Sequence, residues 1–113
     1  MSEKKITSNN TLRKQLKVGS SPIHGRGLFA RNDIKKGTYI GTYHGPDTDD
    51  NGTYVLWVKE GRKWCGCDGK NILRYLNHSK KPNAEFDGRD LFALKKIREG
   101  DEITFDYGED PSQ

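Results

Sequence analysis

The chain has 113 residues, 31% apolar and 32% charged, with four Phe, two Trp and five Tyr and a net charge of +4. That is enough for one domain with a thin core, which a second copy in a homodimer would help to cover, and not enough for a separate cofactor domain. No stretch approaches the roughly 18 apolar residues of a membrane span. Residues 1–10 lack the apolar centre of a signal peptide, so a soluble, intracellular protein is expected.

Charge divides along the chain. Residues 1–40 carry nine Lys or Arg against two acids, whereas residues 99–113 carry six acids and no base. Such asymmetry suggests two different partners, although solvated surface gives the same pattern. Residues 1–13 read as a flexible basic arm, because they are polar and contain few core-forming residues.

The first apolar run follows His24-Gly25-Arg26-Gly27 and continues as Leu28-Phe29-Ala30. Glycines there permit a sharp bend and a close backbone approach to a carboxylate or phosphate, but a plain turn would use them too. The dinucleotide fingerprint is not met, because neither the third glycine nor a helix follows. Strands are expected over residues 39–43, 53–59, 90–94 and 102–105, where β-branched and aromatic residues lie between glycine turns. Ile34, Gly37, Ile40 and Gly45 match Ile97, Gly100, Ile103 and Gly108 at a constant offset, a weak repeat of turn and strand.

Cys65 and Cys67 are too close for an ordinary disulfide in an extended segment, and they suit a reducing compartment. His24, His44 and His78 supply no paired spacing with them, so no metal is expected. A short helix is predicted over residues 71–76, where Ile72, Tyr75 and Leu76 recur at helical spacing. Arg74-Tyr75-Leu76-Asn77-His78-Ser79 with Pro82-Asn83 follows. Its polar run suits the edge of a heterocycle, or equally a helix C-cap. Residues 100–108 form a turn and a strand in which Phe105 and Tyr107 share one face, so both could line a channel; Phe105 would also serve as a core residue.

In this order, His24 to Ala30, Arg74 to Asn83 and Glu102 to Gly108 resemble the SET-domain family of protein lysine methyltransferases, across residues 14–109. The resemblance implies a mainly β fold, the β-clip of small twisted sheets closed by a pseudoknot, with residues 110–113 a short polar tail. It implies S-adenosylmethionine as cofactor, held by Gly25, Arg26 and Gly27 at its amino-acid end and by Asn77 and His78 at its adenine and sulfonium. Tyr107 matches the catalytic tyrosine, and Tyr43 a second tyrosine that holds the lysine nitrogen. Phe105 falls where phenylalanine or tyrosine governs how many methyl groups are added, and phenylalanine implies more than one.

The sequence departs from the family pattern in three places. No cysteine follows Tyr107 in the six remaining residues, so a zinc-binding post-SET tail is not expected. Lys80 stands where many members carry the cysteine that joins that cluster, and the span from Tyr43 to Arg74 is short. Substrate selection is the property these losses affect. The expected substrate is a lysine of a basic protein such as a histone or histone-like protein. The expected site is cytoplasmic in a prokaryote or archaeon and nuclear in a eukaryote or virus. The alternatives are a non-catalytic SET-like module that binds basic peptides, and a basic nucleic-acid binder. The second lacks a recognition helix or stacking motif and would bind only non-specifically.

Overall fold

The structure, a computed structural model, describes residues 5–106. Among the described residues, ten short strands make three small sheets. The first has the order β1 (Leu16–Ser20), β2 (Arg26–Ala30), β10 (Glu102–Phe105), β7 (Asn77–His78). The second joins β3 (Tyr39–Thr42), β9 (Asp90–Ala93) and β8 (Ala84–Asp87), and the third joins β4 (Asp47–Thr48), β6 (Lys63–Asp68) and β5 (Val55–Glu60). The small-sheet β architecture expected from the sequence is the one observed. The four predicted strands form within a residue or two of their expected bounds. Strands β1, β6 and β8 are additions that their polar or glycine-interrupted sequences conceal. Among the described residues no helix is long and apolar enough to cross a membrane.

Two corner turns organise the core. Ile34 and Ile97 form an isolated antiparallel bridge, and the bonds on either side of it are matched. Gly37 N–H reaches the Ala93 carbonyl at 2.8 Å, and Gly100 N–H reaches the Ala30 carbonyl at 2.8 Å. Tyr39 pairs with Phe92 as Glu102 pairs with Phe29. The two turn glycines have φ of 84° and 88°, left-handed values that a side chain resists. The repeat is therefore structural: each half lends its second strand to the other half's sheet, and Leu28, Leu91, Ile97 and Ile103, each 0% exposed, pack about the pseudo-dyad.

Strand β10 lies between β2, its antiparallel partner, and β7, its parallel one, with Thr104 opposite Asn77 and Phe105 opposite His78. It thus ties the N-terminal hairpin to the Asn-His-Ser segment, the closure that the resemblance implies. Asn83 clamps the same strand, donating to the Glu102 carbonyl at 2.8 Å and accepting from Thr104 N–H at 2.9 Å.

Two expectations change. The predicted helix over 71–76 is a single 3-10 turn, Ile72–Tyr75, while an unpredicted α-helical turn, α1, spans Asn9–Leu12. The arm read over residues 1–13 is packed from residue 5 onward. Leu12 is 1% exposed, Thr42 N–H donates to the Ile6 carbonyl at 2.8 Å, and Ile72 N–H donates to Asn9 Oδ1 at 2.8 Å. Composition misleads there because backbone bonds and one leucine, rather than an apolar run, hold the segment.

Candidate active site

The loop between β1 and β2 is closed by Ser21 N–H on the Gly25 carbonyl at 2.8 Å. Asn77 braces it from β7: its amide donates to the carbonyls of His24 at 3.1 Å and Arg26 at 3.0 Å, and to Glu102 Oε2 at 2.9 Å. Ser21 donates to the same carboxylate at 2.8 Å. Gly27 lies inside β2, where a Cβ would strike the Glu102 carboxylate and Ser21. The glycine there makes room for that carboxylate as well as for the bend. Gly25, Arg26, Gly27 and Asn77 are thus brought together, with His78 beside them on β7, where its Nδ1 lies 3.7 Å from Asp106 Oδ1.

A cleft of about 460 Å3 opens beside this loop, lined by Arg13, Val18, Ser20, Arg26 and Tyr75 among others. Of the five residues assigned to the cofactor, Arg26 lines it. Asn77 is instead committed through its side chain to bracing the loop.

On the other side of the Arg74-Tyr75-Leu76 segment is a much narrower cavity of about 10 Å3, room for about one water. Tyr43, Tyr54, Leu56, Arg74, Leu76 and Phe105 contribute to its walls. Phe86 stands edge-on to both outer rings, with centroids 5.8 Å from Tyr43 and 5.1 Å from Phe105 and interplanar angles of 87° in each case. Such edge-to-face packing adds about 0.5–1.5 kcal/mol per pair beyond burial and fixes the rings. Tyr43 is 6% exposed, and its hydroxyl donates to the Tyr54 carbonyl at 2.5 Å. The hydroxyl is thus turned to the backbone of Tyr54, beside Gly69, where an added Cβ would strike it. Arg74 lies 3.7 Å from the centroid of Tyr54, a cation–π contact, and its Nε is buried without a hydrogen-bond partner among the described residues.

A wider groove of about 670 Å3 lies against the same aromatic wall, between the β5–β6 hairpin and β8. Trp57 and Trp64 line it with the carboxylates Glu85, Asp87 and Asp106 and the ammonium Lys59. Among the described residues, no three His, Cys, Asp or Glu side chains cluster as metal ligands. Burial pushes the Cys67 thiol up, against the opposing pull of Arg89.

The structure thus brings Tyr43 and Phe105 to one cavity. Tyr107 lies outside the described residues. Sequence reasoning did not single out Glu102's carboxylate, Phe86 or Tyr54. The glycine at 27 hints at a close neighbour without naming it, and Phe86 sits in a strand whose polar flanks hide it.

The SET domain family model matches residues 25–108. Similar proteins include the histone-lysine N-methyltransferase MEDEA of Arabidopsis thaliana, 30% identical over 83% of this chain and 17% of its own length. Another is the histone-lysine N-methyltransferase trithorax of Drosophila virilis, 29% identical over 95% of this chain and 3% of its own. The chain therefore spans less than a fifth of these relatives. Among solved structures, the methyltransferase domain of human histone-lysine N-methyltransferase SETMAR superposes with a TM-score of 0.71 at 26% identity, covering 81% of this chain and 44% of that one. With the family model covering most of its length and the fold agreeing, the chain belongs to the SET-domain family.

Proposed function

We propose that this protein is a lysine methyltransferase that moves a methyl group from S-adenosylmethionine to a lysine side chain of a basic protein such as a histone. The observation that carries the reading is the placement of two cavities of different character about one short segment. Tyr75 lines the wide cleft, and its neighbours Arg74 and Leu76 line the narrow aromatic one.

The residues of the wide cleft fit the cofactor. Two guanidiniums, Arg13 and Arg26, can take a carboxylate, and the Tyr75 ring offers a face to a heterocycle, in a volume typical of ligand sites. Bound S-adenosylmethionine supplies a methyl group on a positively charged sulfonium. Gly25, Arg26 and Gly27 are proposed to hold its amino-acid end and Asn77 and His78 its other parts, with Asn77 acting by holding the loop in shape.

The narrow cavity has the lining of an alkyl-amine channel, and its walls must part to admit one, since it holds about one water. A free lysine ammonium has a pKa near 10.4, and only its neutral form is nucleophilic. The walls formed by Tyr43, Leu56 and Phe105 exclude water, which lowers that pKa by desolvation. Tyr43, as the second tyrosine of the family pattern, and Tyr107, proposed as the catalytic tyrosine, would orient the lone pair. Rate then comes chiefly from alignment and electrostatics, and no dedicated general base is needed. The carboxylates Glu85, Asp87 and Asp106 along the outer groove favour residues of positive charge flanking the target lysine.

Incubation with methyl-labelled S-adenosylmethionine and core histones, or a whole-cell extract, followed by mass spectrometry of labelled bands, tests the reading. Labelled lysine is expected, with Tyr107→Phe slower by orders of magnitude at near-normal cofactor affinity. Tight cofactor binding without transfer to any protein would instead indicate the non-catalytic peptide-binding module.

A further inference from the structure

The pseudo-dyad gathers cations as well as apolar side chains. The two corner turns met at Ile34 and Ile97 carry Lys35 and Lys36 on one side and Lys95, Lys96 and Arg98 on the other, all exposed. Beside them Lys17 and Arg31 border a groove of about 490 Å3. Three carboxylates share this end, and two are turned to the backbone of the turns. Asp33 Oδ1 accepts Glu99 N–H at 2.9 Å and Asp101 Oδ2 accepts Arg98 N–H at 3.0 Å. Among the described residues the only ion pair here is Lys96 with Asp33, at 3.8 Å. Lys35, Lys36, Lys95 and Arg98 therefore have no ion-pair partner among the described residues, and an end with more cations than carboxylates attracts an anionic partner.

The chemistry of the surface narrows that partner. The exposed large apolar residues among those described are Ile23 and Trp64, which lie on the β1–β2 loop and on β6. Phe29 lines the neighbouring groove but is only partly exposed, so the turns that carry the cations present no exposed aromatic on which an unpaired base could stack, and no large apolar anchor of the kind that dominates protein interfaces. What it can meet is a regular array of phosphates. Duplex DNA presents about one negative charge per 1.7 Å of its axis. We propose that this end of the molecule is a sequence-independent binding site for the phosphate backbone of duplex DNA. It is separate from the lysine cavity, since from Asp101 in the basic turn the chain runs along β10 to Phe105 at the aromatic wall, on the order of 13 Å at strand rise, while the groove beside the basic turns shares Gly19 and Ser20 with the cofactor cleft. DNA on one end leaves the lysine cavity open at the other.

Fluorescence anisotropy of a labelled duplex of about 20 base pairs, titrated with the full chain, tests this without reference to methyl transfer. Binding is expected at a Kd of about 1–100 μM in low salt, with log K falling against log salt at a slope of about −4. Lys35→Glu, Lys36→Glu, Lys95→Glu and Arg98→Glu together should weaken binding at least about ten-fold and flatten the slope. The same reversal at Lys59, Arg62, Lys63 and Lys81, exposed cations elsewhere, should change it by less than about three-fold. Thermal melts establish folding, and the corresponding glutamine set replaces the glutamate set if the latter does not fold. The proposal is overturned if the wild type leaves the duplex free at low salt, or if both sets weaken binding equally, which would mean net charge alone. It is also overturned if single-stranded RNA of equal length binds more tightly than the duplex.

Discussion

Ile34 and Ile97 exchange both backbone hydrogen bonds, the N–H of each reaching the other's carbonyl at 2.7 and 2.9 Å. Both side chains are buried, at 5% and 0% exposure. They join the two halves of the fold at the point where each half passes a strand to the other.

Truncation at this junction should be costly on either side. Ile34→Ala and Ile97→Ala are each expected to lose about 2–4 kcal/mol in urea unfolding. Because the residues are in contact, the double variant should lose less or more than the simple sum by at least about 0.5 kcal/mol. Strict additivity would mean that the halves do not couple through this pair.

Asn77 offers a test of the loop brace. Asn77→Asp removes the donors to the His24 and Arg26 carbonyls and sets a carboxylate against Glu102, whose Oε2 lies 2.9 Å from the present amide. It should destabilise the fold more than Asn77→Ala at pH 7, by about 1 kcal/mol or more. The gap should close as pH falls through the carboxylate range. Urea midpoints across pH for both variants would check it, and an aspartate no worse than alanine at pH 7 would argue that the amide's contacts are dispensable.

Product distribution should respond to Phe105. If this residue sets the room around the lysine nitrogen, the wild type adds more than one methyl group, and Phe105→Tyr shifts products towards monomethyl-lysine. A phenol there introduces a hydroxyl, and water bound to it resists displacement by a methyl group that cannot replace its hydrogen bonds. The ring already stands edge-on to Phe86, so the substitution keeps the packing. Time-resolved mass spectra of a substrate peptide would show it, and unchanged di- and trimethyl products would remove Phe105 from this role.

Asp90 should make the N-terminal segment acid-sensitive. Burial alone would raise its pKa, but hydrogen bonds from Lys5 at 2.5 Å and Thr42 at 2.7 Å hold the carboxyl below its ordinary value. A depressed folded pKa contributes stability that is present above the unfolded value near 3.9 and is lost as pH falls through the folded one. Asp90→Asn should therefore cost about 1 kcal/mol between pH 5 and 8, a modest loss because Lys5 is largely exposed. The cost should vanish once the pH has fallen below the folded value. Chemical unfolding of both proteins over that range is the measurement, and a constant difference would assign the loss to packing.

The linear sequence determined the β-rich class, the strands with β-branched and aromatic runs, and the family, because these rest on local patterns and on motif order. The repeat was legible beyond the four positions first apparent: Leu28, Phe29 and Ala30 match Leu91, Phe92 and Ala93 at the same offset. That strand exchange joins the halves was not legible, since pairing between segments so far apart is set by the whole core rather than by either segment. The site divides the same way. Residue types marked Tyr43, Phe105, Asn77 and the Gly25–Gly27 turn, but only the tertiary structure decided that Asn77 braces the loop and that Phe86 holds Tyr43 and Phe105 upright. It alone also gathered the cations of two distant turns on one end. Hydrogen bonds and ring contacts across separate strands depend on distances in space, and spacing along the chain does not encode them.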